Sequence, residues 1–310
     1  MPLDPHLAAQ LAALPEALRR PPVDIHERRA LALQAETAFW DAVGLPLPET
    51  VTEDLTLPVE GAPDVLVRLY RRADAVGTKP GVISLYGGGF RQGGLHHPVL
   101  NWMWHQRAFD ADIVTIGVDY ARAPEHPYPA AARQVVAVID YFREHGAEHG
   151  IGRLAINGHS AGGNLAAVGA LARRDALELQ FLEVPSLDLT RNHGDLRPSR
   201  ELGLPDELVM KGYLEVVEDY FGKGVEPDPA ASPLLAEDLT GAPPAYILMA
   251  EYDPLRGDGS AYFTRLREAG VPASAMISLG QSHESAGDPR LLASRYWHLD
   301  VVAVLRTLHD

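Results

Sequence analysis

Ser160 stands in the run Gly158-His159-Ser160-Ala161-Gly162, at the end of an apolar strand-like segment (152–157) and the start of a small-residue, helix-forming one (161–174). A serine at such a strand-to-helix turn is held in strained backbone geometry with its hydroxyl presented outward. Glycines two positions before and after it let the flanking chains pass closely. Strain of this kind costs about 1–3 kcal/mol and tends to persist where function uses it. A serine hydroxyl becomes a competent nucleophile when a neutral imidazole takes its proton, and a carboxylate must fix that imidazole's tautomer and stabilise its charged form. In a strand-turn-helix architecture of this type the partners follow the serine in the order acid, then histidine, each in a loop after a late strand. After YILMA comes Glu251-Tyr252-Asp253-Pro254-Leu255-Arg256, and after SAMISLG comes Gln281-Ser282-His283-Glu284. Asp253 and His283 fall in those loops, and no other histidine lies between 194 and 297. Glu251 competes with Asp253 but sits close to the strand. Asp258 also competes, in a position suited to capping the next helix.

Acyl transfer through a serine also needs donors for the oxyanion, each worth roughly 2.7–4 kcal/mol. The amides of Gly88 and Gly89, just past strand 81–86, and of Ala161, at a helix N-terminus, are the candidates. The rival use of glycines, cradling a phosphate, lacks its lysine: GGGFRQGG fits neither a Walker loop nor G-x-G-x-x-G leading into a helix. His145-Gly146-Ala147-Glu148-His149 spells an inverted zinc-protease pattern, yet Gly146 and Gly150 bracket it where a helix should end. It reads as chance, so no metal is expected.

The surrounding pattern predicts the elements that must carry these groups. Helices are expected at 5–18 and 25–43, the second capped by Asp24, and strands at 50–59, 64–71 and 81–86. Strands at 112–118, 152–157, 177–184, 245–250 and 273–279 then alternate with helices at 98–110, 129–145, 161–174, 258–269 and 290–308. That alternation calls for an α/β fold, a mostly parallel sheet covered on both faces. Residues 190–225 break the rhythm with a charged, proline-containing start and an amphipathic DELVMKGYLEVVEDYF. Ligands of open α/β sheets bind at the carboxyl ends of the strands, where such an insertion would roof the site. The expected organisation is N-terminal cap helices (1–48), a catalytic core (49–189 and 226–310) and an inserted cap segment (190–225). Trp40, Trp102, Trp104, Tyr213, Tyr220 and Phe221 are available for pocket walls or core.

Over 310 residues, 46% hydrophobic and 22% charged residues suit a globular protein with a substantial core. A formal net charge of −15 argues against nucleic acid and disfavours anionic substrates, leaving small neutral molecules. There is no cysteine, hence no disulfide and no thiolate nucleophile. The N-terminal residues lack the basic start and cleavage site of a signal peptide, and no apolar run approaches the ~20 residues of a membrane helix. A cytoplasmic protein is the expectation.

With these residues in view, the chain resembles the hormone-sensitive-lipase-like family of bacterial carboxylesterases from about residue 80 to 305. The most specific piece runs from Asp119 through Ala130 (DYARAPEHPYPA), similar to the family's D-Y-R-L-A-P-E-H-P-F-P-A, and GHSAGGN and EYDPLR add to it. The resemblance implies an eight-stranded α/β-hydrolase core with a helical cap, acting as a serine carboxylesterase on short to medium acyl-chain esters. It also makes a homodimer an expectation, and its chemistry calls for no cofactor. Arg122 and Glu125 are expected to pair and hold the DYARAPEHP loop. Three positions depart from the family: Tyr86 replaces the histidine of H-G-G-G, His159 replaces the usual aspartate before the serine, and SHES replaces a glycine and aromatic after the histidine. The same machinery could cleave amides, carbamates or lactones. A non-catalytic ligand receptor is the remaining alternative, which loss of the histidine would favour; His283 is retained.

Overall fold

The computed structural model describes residues 24–283 and 287–310. The expected helix 5–18 therefore lies outside the described residues. Helix α1 (Ile25–Val43) starts at Asp24, whose side chain accepts the Glu27 amide at 2.9 Å, and stops at Gly44 in the left-handed conformation. Strands β1 (Thr50–Leu57), β2 (Val65–Arg72) and β3 (Lys79–Leu85) follow, then α2 (Pro98–Ala111), β4 (Val114–Asp119), α3 (Ala130–His145), β5 (Ile151–His159) and α4 (Ala161–Ala172). After β6 (Gln180–Glu183) come α5 (Arg197–Glu201) and α6 (Asp206–Phe221). The chain finishes with β7 (Ala245–Tyr252), α7 (Arg256–Glu268), β8 (Ala273–Ser282) and α8 (Leu292–Arg306).

The strands form one eight-stranded sheet in the order β1-β2-β4-β3-β5-β6-β7-β8. β2 runs antiparallel to both β1 and β4, and every later pairing is parallel. The parallel part is buried on both faces, which is why VISL and FLE read as unbroken rather than alternating segments. Successive residues serve opposite faces: Ile83 and Ile156 pack with α3 and α4, whereas Val82 and Ala155 pack with Trp297 and Val301 of α8.

Several element ends differ from the sequence expectation, three of them next to the site. β5 runs on to His159, because Gly158 pairs with Leu85 and His159 with Glu183. β6 is only four residues long: Val184 takes φ 40 and ends the strand, its amide making a last bond to Leu248 O of β7 at 2.7 Å. α7 begins at Arg256, earlier than expected, which moves Asp258 from the cap into the first helical turn.

Residues 190–225 leave the sheet between β6 and β7 and carry α5 and α6. α6 is fastened to the loop after β3: the Phe90 and Tyr220 rings stack at 3.9 Å, and Arg91 bonds Asp219 at 2.5 Å. α1 reaches the same helix through Arg28 and Glu215, 3.6 Å apart.

Candidate active site

Ser160 occupies the turn between β5 and α4 with φ 55 and ψ −116, a backbone region that costs a non-glycine residue free energy. Close approach explains the flanking glycines. A Cβ on Gly158 would collide with the Gly162 carbonyl, and one on Gly162 with the carbonyls of Leu85 and Tyr86. The strained turn is held from both sides, the Ser160 amide donating to Glu183 O (2.9 Å) and its carbonyl accepting from Asn164 (3.0 Å) and Ser186 (3.2 Å).

Asp253 and His283, 93 and 123 positions after Ser160 in sequence, converge on it in space. Ser160 Oγ lies 2.8 Å from His283 Nε2, and His283 Nδ1 lies 2.8 Å from Asp253 Oδ2. With Nδ1–H donating to the carboxylate, Nε2 is left as the acceptor for the serine proton. Asp253 is buried, and its other oxygen accepts the Leu255 amide at 2.8 Å, so the carboxylate is both oriented and kept from water. The rivals are engaged elsewhere. Glu251 lies within β7 and accepts the Gly280 amide at 2.7 Å. Asp258 does not cap its own helix: it is fully buried and accepts the amides of Leu187 (2.8 Å) and Asp188 (3.0 Å). Burial raises its pKa to about 6, against the pull of Arg191 and these amides.

Gly88 and Gly89 follow β3 with φ 116 and 61, conformations that glycine adopts readily. The Gly88 carbonyl accepts the amides of Arg91 (3.1 Å) and Gln92 (2.9 Å), which closes the loop into a turn. Gly88, Gly89, Ser160, Ala161 and His283 all border one cavity of about 340 Å³, roofed by Tyr213 and Val216 of α6. Tyr86 supports the loop from below. Its hydroxyl donates to Asp119 Oδ1 (3.1 Å) and Tyr120 O (3.2 Å), Tyr120 returns a bond to Tyr86 O (2.8 Å), and the two rings stack at 4.2 Å.

The expected Arg122–Glu125 pair is not made. Glu125 is instead held bidentately by Arg29 of α1 (2.6 and 2.8 Å), while Arg122 donates to the Gly93 carbonyl. The loop is braced by charge, but from a residue 96 positions away that local spacing does not reveal. The histidines of the zinc-like pattern turn to separate partners, His145 to Glu148 (3.0 Å) and His149 to Tyr141 (3.1 Å) and Glu53 (3.3 Å).

Two features were missed in the sequence. Arg191, at φ 68, lays its guanidinium over the Tyr213 ring and donates to Ser186 Oγ (3.2 Å) in the cavity wall. Beneath the elbow, buried Glu183 accepts from Arg107 (2.8 Å), Asn157 (3.0 Å) and Trp297 (2.7 Å). A glutamate closing an apolar strand was the available signal.

A serine on a sharp strand-to-helix turn of a mostly parallel eight-stranded sheet, with an imidazole and a carboxylate brought to it from two later loops, defines an α/β hydrolase. A protein-family model of the α/β-hydrolase fold matches residues 82–286. Among curated relatives, the esterase LipI of Mycobacterium tuberculosis is 38% identical over 199 residues, 62% of this chain and 61% of LipI. The carboxylesterase NlhH of the same organism is 35% identical over 236 residues, 73% of this chain and 72% of NlhH. The solved structure of a hyperthermophilic esterase from the archaeon Pyrobaculum calidifontis superposes with a TM-score of 0.86 at 30% identity, covering 100% of this chain and 99% of that one. The chain belongs to the α/β-hydrolase family, among its hormone-sensitive-lipase-like carboxylesterases.

Proposed function

We propose that the protein is a serine carboxylesterase that hydrolyses small neutral esters of short to medium acyl chain through an acyl-enzyme on Ser160. The observation that carries this is the pair of 2.8 Å contacts linking Ser160, His283 and Asp253 at the wall of the cavity. His283 takes the Ser160 proton as Oγ attacks the ester carbonyl, and the amides of Gly88, Gly89 and Ala161 receive the oxyanion. The alcohol leaves with the proton from His283. Water, deprotonated by the same imidazole, then releases the acid. Asp253 stays ionised throughout and stabilises the imidazolium.

A cavity of about 340 Å³ lies at the small end of ligand sites, which favours compact acyl and alcohol groups. Residues 190–225 act in this reading as the cap, joined by α1, over a core of 49–189 and 226–310. A cytoplasmic homodimer belongs to the same reading, the location from the cysteine-free composition and the dimer from the family resemblance.

Turnover of p-nitrophenyl acetate and butyrate tests the assignment. Ser160→Ala should remove the great majority of it, with an unchanged circular-dichroism spectrum. Retention of most activity in Ser160→Ala, or faster cleavage of a matched amide than of the ester, would overturn it.

A further inference from the structure

Ser186, the third residue past β6, holds hydrogen-bonding capacity at the reaction centre that none of the acyl-transfer steps uses. It borders the cavity together with Ser160 and Arg191 and is 5% exposed. Its amide donates to the Ser160 carbonyl at 3.2 Å, which sets it beside the nucleophile, and its own carbonyl accepts from Asn164 at 2.8 Å. The side-chain oxygen accepts from Arg191 Nη2 at 3.2 Å, yet among the described residues nothing accepts the hydroxyl proton. A hydroxyl carries one donor, and a donor shut away from water without an acceptor costs free energy.

Arg191 sharpens that donor. Its side chain is 5% exposed, its guanidinium lies over the Tyr213 ring, and its Nε and Nη1 are buried with no hydrogen-bond partner. A charged donor on a hydroxyl oxygen polarises the O–H bond, and hydrogen bonds in such a chain strengthen one another. Val209, Val216 and Leu255 give the same cavity apolar wall, so burial can hold a chain while one hydroxyl reads a single point on it. A carboxylate suits this corner poorly: Asp253 borders the cavity, and Arg191 Nη1 already faces buried Asp258 at 4.0 Å. Resting on the esterase reading above, we infer that Ser186 is a specificity-determining residue whose hydroxyl, polarised by Arg191, donates to an uncharged acceptor oxygen carried by the ester beyond its reacting group. Esters whose short acyl or alcohol chain bears an ether, ketone or hydroxyl oxygen are thus the substrate class.

Paired esters that exchange one methylene for one oxygen test this. Ethyl 3-methoxypropanoate against ethyl pentanoate reads the acyl side, and 2-methoxyethyl acetate against butyl acetate reads the alcohol side, each followed by pH-stat. The ether oxygen loses water on entering the cavity, so each pair is compared between proteins, wild type against Ser186→Ala. The variant should lower kcat/KM about tenfold on one oxygenated ester, the worth of one good hydrogen bond, and less than about twofold on its methylene partner. The pair that responds places the oxygen on the acyl or the alcohol side. Arg191→Met should act in the same direction, and it replaces Ser186→Ala if that variant fails to fold. Equal losses on both members of each pair mean a merely structural role and overturn the inference. So does a larger effect of Ser186→Ala on monoethyl succinate, because the hydroxyl then serves a carboxylate. Calorimetric binding of the same esters to Ser160→Ala, with and without Ser186→Ala, reads the contact without chemistry. A binding ratio that shifts there while the wild type turns over none of the esters overturns the esterase reading alone, whereas turnover of both pairs with unchanged ratios overturns this inference alone.

Discussion

At the residue scale, three carboxylates lie within eight positions of one another after or within β7, and their surroundings assign them different work. Asp253 meets the imidazole, Glu251 meets a strand amide, and Asp258 holds the chain at Leu187 and Asp188. Asp253→Asn should lower kcat about 10⁴-fold with the fold retained, because the imidazole loses the partner that fixes its tautomer. Glu251→Gln should leave kcat within about tenfold, since hydrolysis does not draw on its contact. Asp258 should appear in stability instead. Its folded pKa, about 6, lies above its ordinary value, so the folded state binds this proton more tightly than the unfolded one. The group's favourable contribution is therefore complete below about pH 4 and is lost as pH rises through 6, a difference of about 3 kcal/mol. Urea titrations at pH 4.5 and 7 should show a smaller drop between the two in Asp258→Asn than in the wild type.

At the scale of elements, the turns around the serine are fixed by contacts that allow little substitution. Gly158→Ala would drive its methyl into the Gly162 carbonyl, so it should cost 3 kcal/mol or more, on the order of other severe clashes, and be seen as a fall in Tm. Tyr86→Phe removes a buried hydroxyl from Asp119 and Tyr120 and should cost about 1–2 kcal/mol. Activity should survive it, because the stacked Tyr120 ring and the Tyr120 hydroxyl still hold the loop. Most of this frame was legible in the sequence. Buried parallel strands write themselves as apolar runs, and the GHSAG turn announces its own geometry. What stayed hidden were contacts with no local period: Arg29 reaching Glu125, Arg191 lying over Tyr213, and Asp258 turning away from its own helix. Partners chosen across dozens or hundreds of residues leave no spacing to read, whereas Asp253 and His283 were legible because strand ends confine where such loops can go.

At the scale of the whole molecule, charge pairs tie the described N-terminal helix to the body, and one of them carries a pH signature. Glu125 is held at a pKa of about 2 by its hydrogen bonds to Arg29. A depressed carboxylate pKa gives stability that is present above about pH 4.5 and lost as pH falls towards 2. The pair is partly solvated, so Arg29→Ala should cost no more than about 1 kcal/mol at pH 7 and should move acid unfolding to higher pH. An acid titration followed by circular dichroism checks this, and an unchanged midpoint would count against the pair.

The ring stack of Phe90 on Tyr220 and the bond from Arg91 to Asp219 have a wider consequence. They join the helix above the cavity to the same turn that presents the Gly88 and Gly89 amides. In the proposed mechanism, admission of substrate and reception of negative charge would then share one mechanical linkage: a roof that lifts would pull the proposed oxyanion donors out of register. Cosolvents that loosen aromatic contacts should therefore slow turnover well before the sheet begins to melt.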